Sequence, residues 1–300
     1  MLDGFVNLLK PPGPSSHDLV SHIRQLTGIK RVGHTGTLDP LAAGVLVIAI
    51  GRATRLIQYL DSTKTYLGEV TFGIDTDTLD AAGNVLANRP VSLNRDQLEM
   101  ALKGFKGTVF QVPPMVSALK WRGRRLYNLA RAGIEIERPA RAVFIKELEL
   151  LSFFPDKNYP RSLIKCTCST GTYMRALAVD IGKQLGCSSY LSFLLRVQNG
   201  PFSITRSLTL EQLKWCIEQN DDSRWLICPQ QALSGLPVVV LSDQDAIAFT
   251  HGNPIWLEHG LTKSNVVSPV CVCDQQRTFL GVGLGLPEQP GCLRPKVVFN

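Results

Sequence analysis

The sequence predicts a mixed α/β protein built as two domains, residues 1–236 and residues 237–300, and three observations carry that expectation. The chain has 300 residues, more than one hydrophobic core usually serves. Its first 236 residues alternate short apolar runs of strand character with amphipathic stripes of helical period. From Pro237 the texture changes to brief apolar runs separated by Gly, Pro and Asn, the pattern of a small β-barrel. With 44% hydrophobic and 19% charged residues, the composition is globular and excludes collagen-like, low-complexity and disordered classes. The longest apolar stretch, residues 41–50, is broken by Gly44 and falls far short of the roughly 20 residues a membrane-spanning helix needs. The opening MLDGFVNLLK lacks a basic region followed by an apolar core, so no signal peptide, no membrane partner and a cytoplasmic location are expected.

Residues 5–9 read as a strand, ended by Lys10-Pro11-Pro12-Gly13-Pro14. Over residues 16–27, Leu19, Ile23 and Leu26 share a face, with Ser15 or Ser16 placed to cap a helix and Gly28 to end it. A polar loop at 33–40 precedes a buried strand at 45–50. A strand at 66–72 and a turn-rich run at 75–83 follow, then helices at 96–102 and 126–132 and strands at 144–154 and 163–169. Between 172 and 185, Met174, Ala178, Ile181 and Leu185 form a stripe that packs a helix on the sheet. A further helix at 210–218 leads to the polar Asn220-Asp221-Asp222-Ser223, on the approach to the boundary. Beyond it, strands are expected at 238–241, 266–272, 279–284 and 296–299. Gly281, Gly283 and Gly285 do not lie between a strand and a helix, so close strand packing accounts for them better than a dinucleotide fingerprint.

Eight cysteines are too sparse for a disulfide scaffold and are expected as reduced thiols. Cys166/Cys168 and Cys271/Cys273 each put two thiols on one strand face. With no Cys-x-x-Cys and no ligand set around them, they read as buried hydrophobes, and no metal is expected. Charge is uneven: 32 Lys and Arg against 25 Asp and Glu give +7 overall, whereas residues 237–300 hold four basic and five acidic side chains. Residues 120–146 carry eight basic groups, Lys120, Arg122, Arg124, Arg125, Arg131, Arg138, Arg141 and Lys146, against Glu135 and Glu137. With Trp121 and Tyr127 among them, this is the footprint of a phosphate-backbone contact. A solvated helix face has the same composition.

Gly33-His34-Thr35-Gly36-Thr37-Leu38-Asp39-Pro40 packs two glycines, two hydroxyls, an Asp and a Pro into eight residues. Such a restricted loop holds a carboxylate in fixed geometry. Spacing leaves a second reading open, and the commoner one: Asp39 caps a helical turn with Pro40 at its first position. His34 is likewise read as a hydrogen-bonding loop residue or as a functional one.

Several ordered motifs together resemble the bacterial TruB family of tRNA pseudouridine synthases over the whole chain. Lys10-Pro11-Pro12-Gly13 with Ser15-Ser16 is similar to an N-terminal KPxGxTS element, with Ser15 where Thr is usual. GHTGTLDPLAAG, residues 33–44, resembles the stretch bearing the family's catalytic aspartate. Lys64-Thr65-Tyr66 matches a K-x-Y element, and residues 111–120 with Leu126-Tyr127 resemble QxPPxxSALK…LY. Ser169-Thr170-Gly171-Thr172-Tyr173-Met174-Arg175 is similar to (S/K)GTYIR, and His251-Gly252-Asn253-Pro254 with residues 295–299 resembles a PUA domain, a small RNA-binding pseudo-barrel. At Leu194-Leu195-Arg196 the family usually shows Leu-Arg-Arg, so Leu195 departs from it.

The resemblance implies a pseudouridine synthase fold with a mixed, largely antiparallel sheet, plus a PUA-like domain. It implies isomerisation of the T-loop uridine at tRNA position 55, with Asp39 acting on the ribose C1′, on the uracil C6, or by proton abstraction. Such chemistry involves no redox change and no net hydrolysis, so no cofactor is expected. A carboxylate in an apolar pocket tends to protonate unless a cation holds it ionised, and Arg175 is implied as that cation. Tyr66 would stack on the target base; Tyr173, Lys10 and Leu194 would line the pocket. His34 would fill the gap left by the flipped base, and Lys120, Arg124 and Arg125 would grip the tRNA backbone. No obligate protein partner is expected, and the chain is expected to be a monomer. An RNA chaperone and a glycosylase that releases free base are the rival readings.

Overall fold

Strand β1 (Gly4–Lys10) is buried at every position but Leu9 rather than at alternate ones, the pattern of a strand covered on both faces. One cover is α1 (Ser16–Thr27), whose Leu19, Val20 and Ile23 pack on Val6, Leu8, Leu46 and Ile48. The helix opens with a capping box, Ser15 accepting from the Asp18 N–H while Asp18 accepts from the Ser15 N–H, and closes at Gly28. β2 (Val32–His34) and β1 both pair antiparallel with β3 (Ala43–Ile50). The computed structural model describes residues 2–117, 119–257, 268–286 and 288–299.

The sheet continues with β4 (Lys64–Phe72), which leads into a hairpin of β5 (Ile74–Thr76) and β6 (Val85–Asn88). Helix α2 (Arg95–Lys103) and strand β7 (Gly107–Gln111) come next, then a second hairpin of β8 (Lys120–Trp121) and β9 (Arg124–Arg125). After α3 (Leu126–Arg131) come β10 (Arg141–Phe154), β11 (Arg161–Cys168), α4 (Met174–Gln184), β12 (Ser189–Asn199) and the short β13 (Phe202–Ser203). Nine strands form one sheet with the path β1-β3-β12-β4-β11-β10-β7, β2 and β13 joining β3 and β12. Every pair is antiparallel except β12 with β3. That parallel contact is a close one: Gly44 has φ +110°, and a Cβ there would strike the Arg196 backbone. Under β4, β11 and β10, Val70, Phe72, Leu148 and Ile164 pack on Leu98 of α2 and on Leu177 and Ile181 of α4.

Helices α5 (Leu210–Glu218) and α6 (Pro229–Ala232) lead to a second sheet. It comprises β14 (Val238–Val240), β15 (Ile255–Trp256), β16 (Pro269–Cys273), β17 (Phe279–Leu286) and β18 (Gln289–Val298), with α7 (Asp243–Thr250) packed on it. Val282 and Val297 of this sheet join Phe5, Val45, Val47, Ala49 and Leu233 in one buried cluster. Arg52 lies 5.0 Å over the Phe299 ring, and Arg55 donates to the Val298 carbonyl. The second unit therefore covers the face of β1 and β3 that α1 leaves open.

Several expectations shift. The polar loop begins later than residue 33, because Gly33 and His34 pair with Ala49 and Ile48 in β2. β7 and β12 carried no expectation; β12 buries Ser189, Arg196 and Asn199, which interrupt an apolar pattern. Helix α7 stands where only barrel strands were expected. The strand foreseen at 296–299 begins at Gln289, its Pro295 tolerated where the β17–β18 register shifts. Gly281 and Gly283 do lie where strands approach closely, a Cβ on either meeting Val297 or Leu293. Residues 266 and 267 of an expected strand, Glu258 and Lys263 of the charge count, and Ala118 of the QxPPxxSALK segment lie outside the described residues. Among the described residues no helix is long and apolar enough to cross a membrane.

Candidate active site

The loop from Thr35 to Ala42 is held at almost every residue by a side chain from elsewhere. Asn199 donates to the Thr35 hydroxyl at 2.9 Å. Arg196, fully buried, donates to the Gly36 carbonyl at 3.1 Å and to the Val45 carbonyl at 2.7 Å. Ser16, at the start of α1, accepts from the Leu38 N–H at 2.9 Å and donates to the Leu38 carbonyl at 3.0 Å. Lys10, also fully buried, donates to the carbonyls of Pro11, Pro40 and Ala42 at 2.9, 3.0 and 2.7 Å. Asp39 accordingly opens a turn, closed by the Ala42 N–H donating to its carbonyl, and caps no helix. Its side chain is left free to act outward.

What it meets is Arg175, the second residue of α4. Nη2 donates to Asp39 Oδ1 at 3.1 Å and Nε sits 3.0 Å from Oδ2, a two-point contact that fixes the carboxylate's plane. The guanidinium is itself locked. It donates to the carbonyls of Thr78 at 3.1 Å and Val116 at 2.8 Å, and its Nε lies 3.6 Å from Asp80. Gln111, at the end of β7, accepts from the Tyr173 N–H at 3.0 Å and donates to the Tyr173 carbonyl at 3.4 Å, fixing the residue that starts α4.

Asp39 and Arg175 face a cavity of about 220 Å³, smaller than the roughly 300–1,000 Å³ of sites for drug-sized ligands. Tyr66, Tyr173, Leu194, Met174 and Lys64 share its wall. Burial pushes the Asp39 carboxyl above the ordinary carboxylate value, Arg175 pulls it back, and Asp80 pushes it up again. The Asp39 side chain is 38% exposed through the cavity mouth, so water tempers that burial until a ligand fills the space. Burial also raises Tyr66 and Tyr173, which stay protonated phenols near neutrality. Burial lowers Lys10 to about 8, with Asp39 opposing the shift, and lowers Lys64.

Five of the residues singled out in the sequence, Asp39, Tyr66, Arg175, Tyr173 and Leu194, therefore converge on the cavity. Lys10 does not line it; it sits behind the loop as a carbonyl clamp, because its ammonium finds three acceptors there. His34, half-buried on β2, accepts from the Gly36 N–H through Nδ1 at 3.3 Å and is kept neutral by burial and by Arg196. Lys120, Arg124 and Arg125 lie exposed on the β8–β9 hairpin. Its turn residues Arg122 and Gly123 have φ of +45° and +83°, the geometry of a tight two-residue hairpin. Sequence reasoning missed Ser16, Asp80, Gln111, Lys64 and Arg196 as functional residues, although all but Asp80 fall within its motifs. Leu195, where an arginine is usual, is half-buried opposite Ala43 and Leu67.

Among solved structures, the fold resembles a Cbf5-Nop10-Gar1 complex with a TM-score of 0.75 at 24% identity, over 99% of this chain and 85% of that one. It also resembles an H/ACA RNP bound to a substrate RNA containing 2′-deoxyuridine, with a TM-score of 0.73 at 22% identity and the same coverage. The family model for the TruB family pseudouridylate synthase N-terminal domain matches residues 24–174. Models for the tRNA pseudouridylate synthase B C-terminal domain and for the pseudouridine synthase II TruB C-terminal region match residues 175–233 and 237–299. The tRNA pseudouridine synthase B of Moorella thermoacetica is 49% identical over 80% of this chain and 79% of its own. That of Geobacillus thermodenitrificans is 41% identical over the whole of both chains. The family models and these relatives define an isomerase of the pseudouridine synthase class. Within that class the chain belongs to the TruB family.

Proposed function

We propose that the protein converts uridine to pseudouridine in tRNA, at position 55 of the T-loop, with Asp39 as nucleophile and with no cofactor. One observation carries this reading: a carboxylate gripped at two points by a buried guanidinium, on the wall of a cavity of about 220 Å³. The similar proteins named tRNA pseudouridine synthase B support tRNA as the substrate. A bound uridine offers Asp39 two electrophilic carbons, ribose C1′ and uracil C6. Attack at C1′ breaks the N1–C1′ bond and addition at C6 must be followed by the same cleavage; the base then turns, C5 bonds to C1′ as the carboxylate is released, and the proton on C5 is exchanged for one on N1. No electrons leave the substrate and no water is consumed, so the reaction calls for no redox group. Tyr66, a protonated phenol against the bound base, stacks on it and is placed to exchange a proton during the turn.

The uridine must leave its stack at a cost of a few kcal/mol, and His34, neutral and beside the loop, fills the vacancy. The β8–β9 hairpin, with Lys120, Arg124, Arg125 and the exposed Trp121, holds the RNA backbone. Residues 1–236 form the catalytic domain and 237–300 a PUA-like RNA-binding domain; the protein acts as a cytoplasmic monomer.

Incubation with unmodified tRNA, followed by mapping of carbodiimide-resistant adducts by reverse transcription, tests the reading. The expected result is one stop at the T-loop uridine with the wild-type protein and none with Asp39→Asn, while tRNA binding persists. Full activity in Asp39→Asn rejects the mechanism. Released uracil would point to a glycosylase, and binding with no product to a chaperone.

A further inference from the structure

The loop that carries Asp39 is surrounded by more positive than negative charge. Lys10, Lys64, Arg175 and Arg196 are all buried, against the carboxylates of Asp39 and Asp80, with the exposed Asp61 acting on Lys64 from the surface. Buried charge without a partner is costly. Arg175 is matched by the two carboxylates, and Lys10 and Arg196 each spend their donors on backbone carbonyls. Lys64 is different. An ammonium has three donors, and among the described residues its Nζ makes one hydrogen bond, to the Ser62 carbonyl at 3.1 Å, and no ion pair. It is 6% exposed, and a Cβ on Gly36 would lie 3.3 Å from its Cε and 3.8 Å from Arg196 Nη1, so two cations flank that glycine.

Lys64 also stands where two cavities meet. It and Thr170 line both the Asp39 cavity and a neighbour of about 190 Å³, walled by Thr35, Asp61, Ser62, Asn199 and Phe202. Asp61 at that second wall disfavours a phosphate and suits the N–H donors of a base. On the reading that the substrate is RNA, a nucleoside in the first cavity is joined to its neighbour by an anionic phosphodiester. We infer that Lys64 binds the phosphodiester adjoining the everted uridine, on the wall between the cavities, and that the second cavity receives the adjoining nucleotide. The ammonium's unused donors meet the phosphate oxygens, and the local excess of positive charge is neutralised only in the complex.

The test uses synthetic T-arm stem-loops in which each phosphate flanking the target uridine is replaced, one at a time, by a neutral methylphosphonate. Affinity and single-turnover rate are measured with the wild-type protein, Lys64→Met and Lys64→Arg. One methylphosphonate is expected to weaken wild-type binding about tenfold or more. Lys64→Met should lose the same factor on the unmodified arm and nothing further on that methylphosphonate arm, with its log–log salt slope reduced by about 0.7. Lys64→Arg should recover much of the loss. Losses below twofold at both flanking positions, or losses that multiply when variant and neutralised RNA are combined, overturn the inference. The methylphosphonate series on wild-type protein needs no variant to fold. Turnover of the unmodified arm is read alongside: if it binds but yields no pseudouridine, the functional reading fails while the affinities still decide the role of Lys64. RNA that does not bind at all overturns both.

Discussion

Replacing Arg175 by methionine keeps the aliphatic bulk and removes both contacts to Asp39, at 3.1 and 3.0 Å. Each charge-assisted hydrogen bond contributes about 1.5–3 kcal/mol. The lower end applies here, because Asp39 is 38% exposed and water screens it. A loss of about 3 kcal/mol in positioning the nucleophile corresponds to roughly a hundredfold in single-turnover rate. Arg175 is also the strongest influence holding the Asp39 carboxyl down against burial, so its removal raises that pKa further. Activity that needs the ionised carboxylate is gained as pH rises through the pKa, so the acid limb of the kcat/KM profile must move to higher pH. Stability runs the other way. A carboxyl whose folded pKa is raised binds its proton more tightly when folded, so its contribution is full below the unfolded value of 3.8 and lost as pH climbs through the folded one. Single-turnover carbodiimide mapping across a pH series, on protein whose thermal melt stays cooperative, measures both effects. A loss under tenfold, or an acid limb that stays in place, refutes the reasoning.

Other substitutions probe the supports. Neutralising Arg124 and Arg125 together should weaken tRNA binding and reduce its salt slope by about 1.4, at roughly 0.7 per phosphate contact, while the rate at saturation holds; filter binding from low to high salt decides it. Gln111→Glu puts an ionised carboxylate against the Tyr173 carbonyl in place of a donating amide, so the rate should fall at neutral pH and recover on acidification, when a protonated Glu again donates and accepts. An unchanged rate at neutral pH would show that the clamp is irrelevant to catalysis, and a loss with no recovery on acidification would show that the missing donor is not its cause. Ser16→Ala leaves the buried N–H and carbonyl of Leu38 without their partner, and denaturant melts should show a loss of about 2–6 kcal/mol, at about 1–3 for each orphaned group.

Much of the fold was legible because periodicity and caps are local. The helix Ser16–Thr27 and the helix Leu210–Glu218 follow from apolar spacing and capping residues within a dozen positions. β12 was not legible, although it lies inside the sheet, because its buried Ser189, Arg196 and Asn199 look polar to any local pattern, and the partners of Arg196 and Asn199 are far away in sequence. The site divides in the same way. Residues 33–40 announce a constrained loop, and the motifs around Tyr66 and Arg175 mark them, but composition says nothing about Ser16 reaching Leu38 or Gln111 reaching Tyr173.

By itself the sequence determined the family, the loop that bears Asp39, the basic segment at 120–146 and most helices, since each is written in residues close together along the chain. Only the tertiary structure decided that Asp39 faces a cavity rather than capping a helix, and that Arg175, 136 positions away, grips it. It also moved Lys10 from the cavity wall to the back of the loop and placed Lys64 between two cavities. A side chain's burial, its charge and its partners are properties of the folded neighbourhood, and no local run of residues specifies which distant strand will supply them.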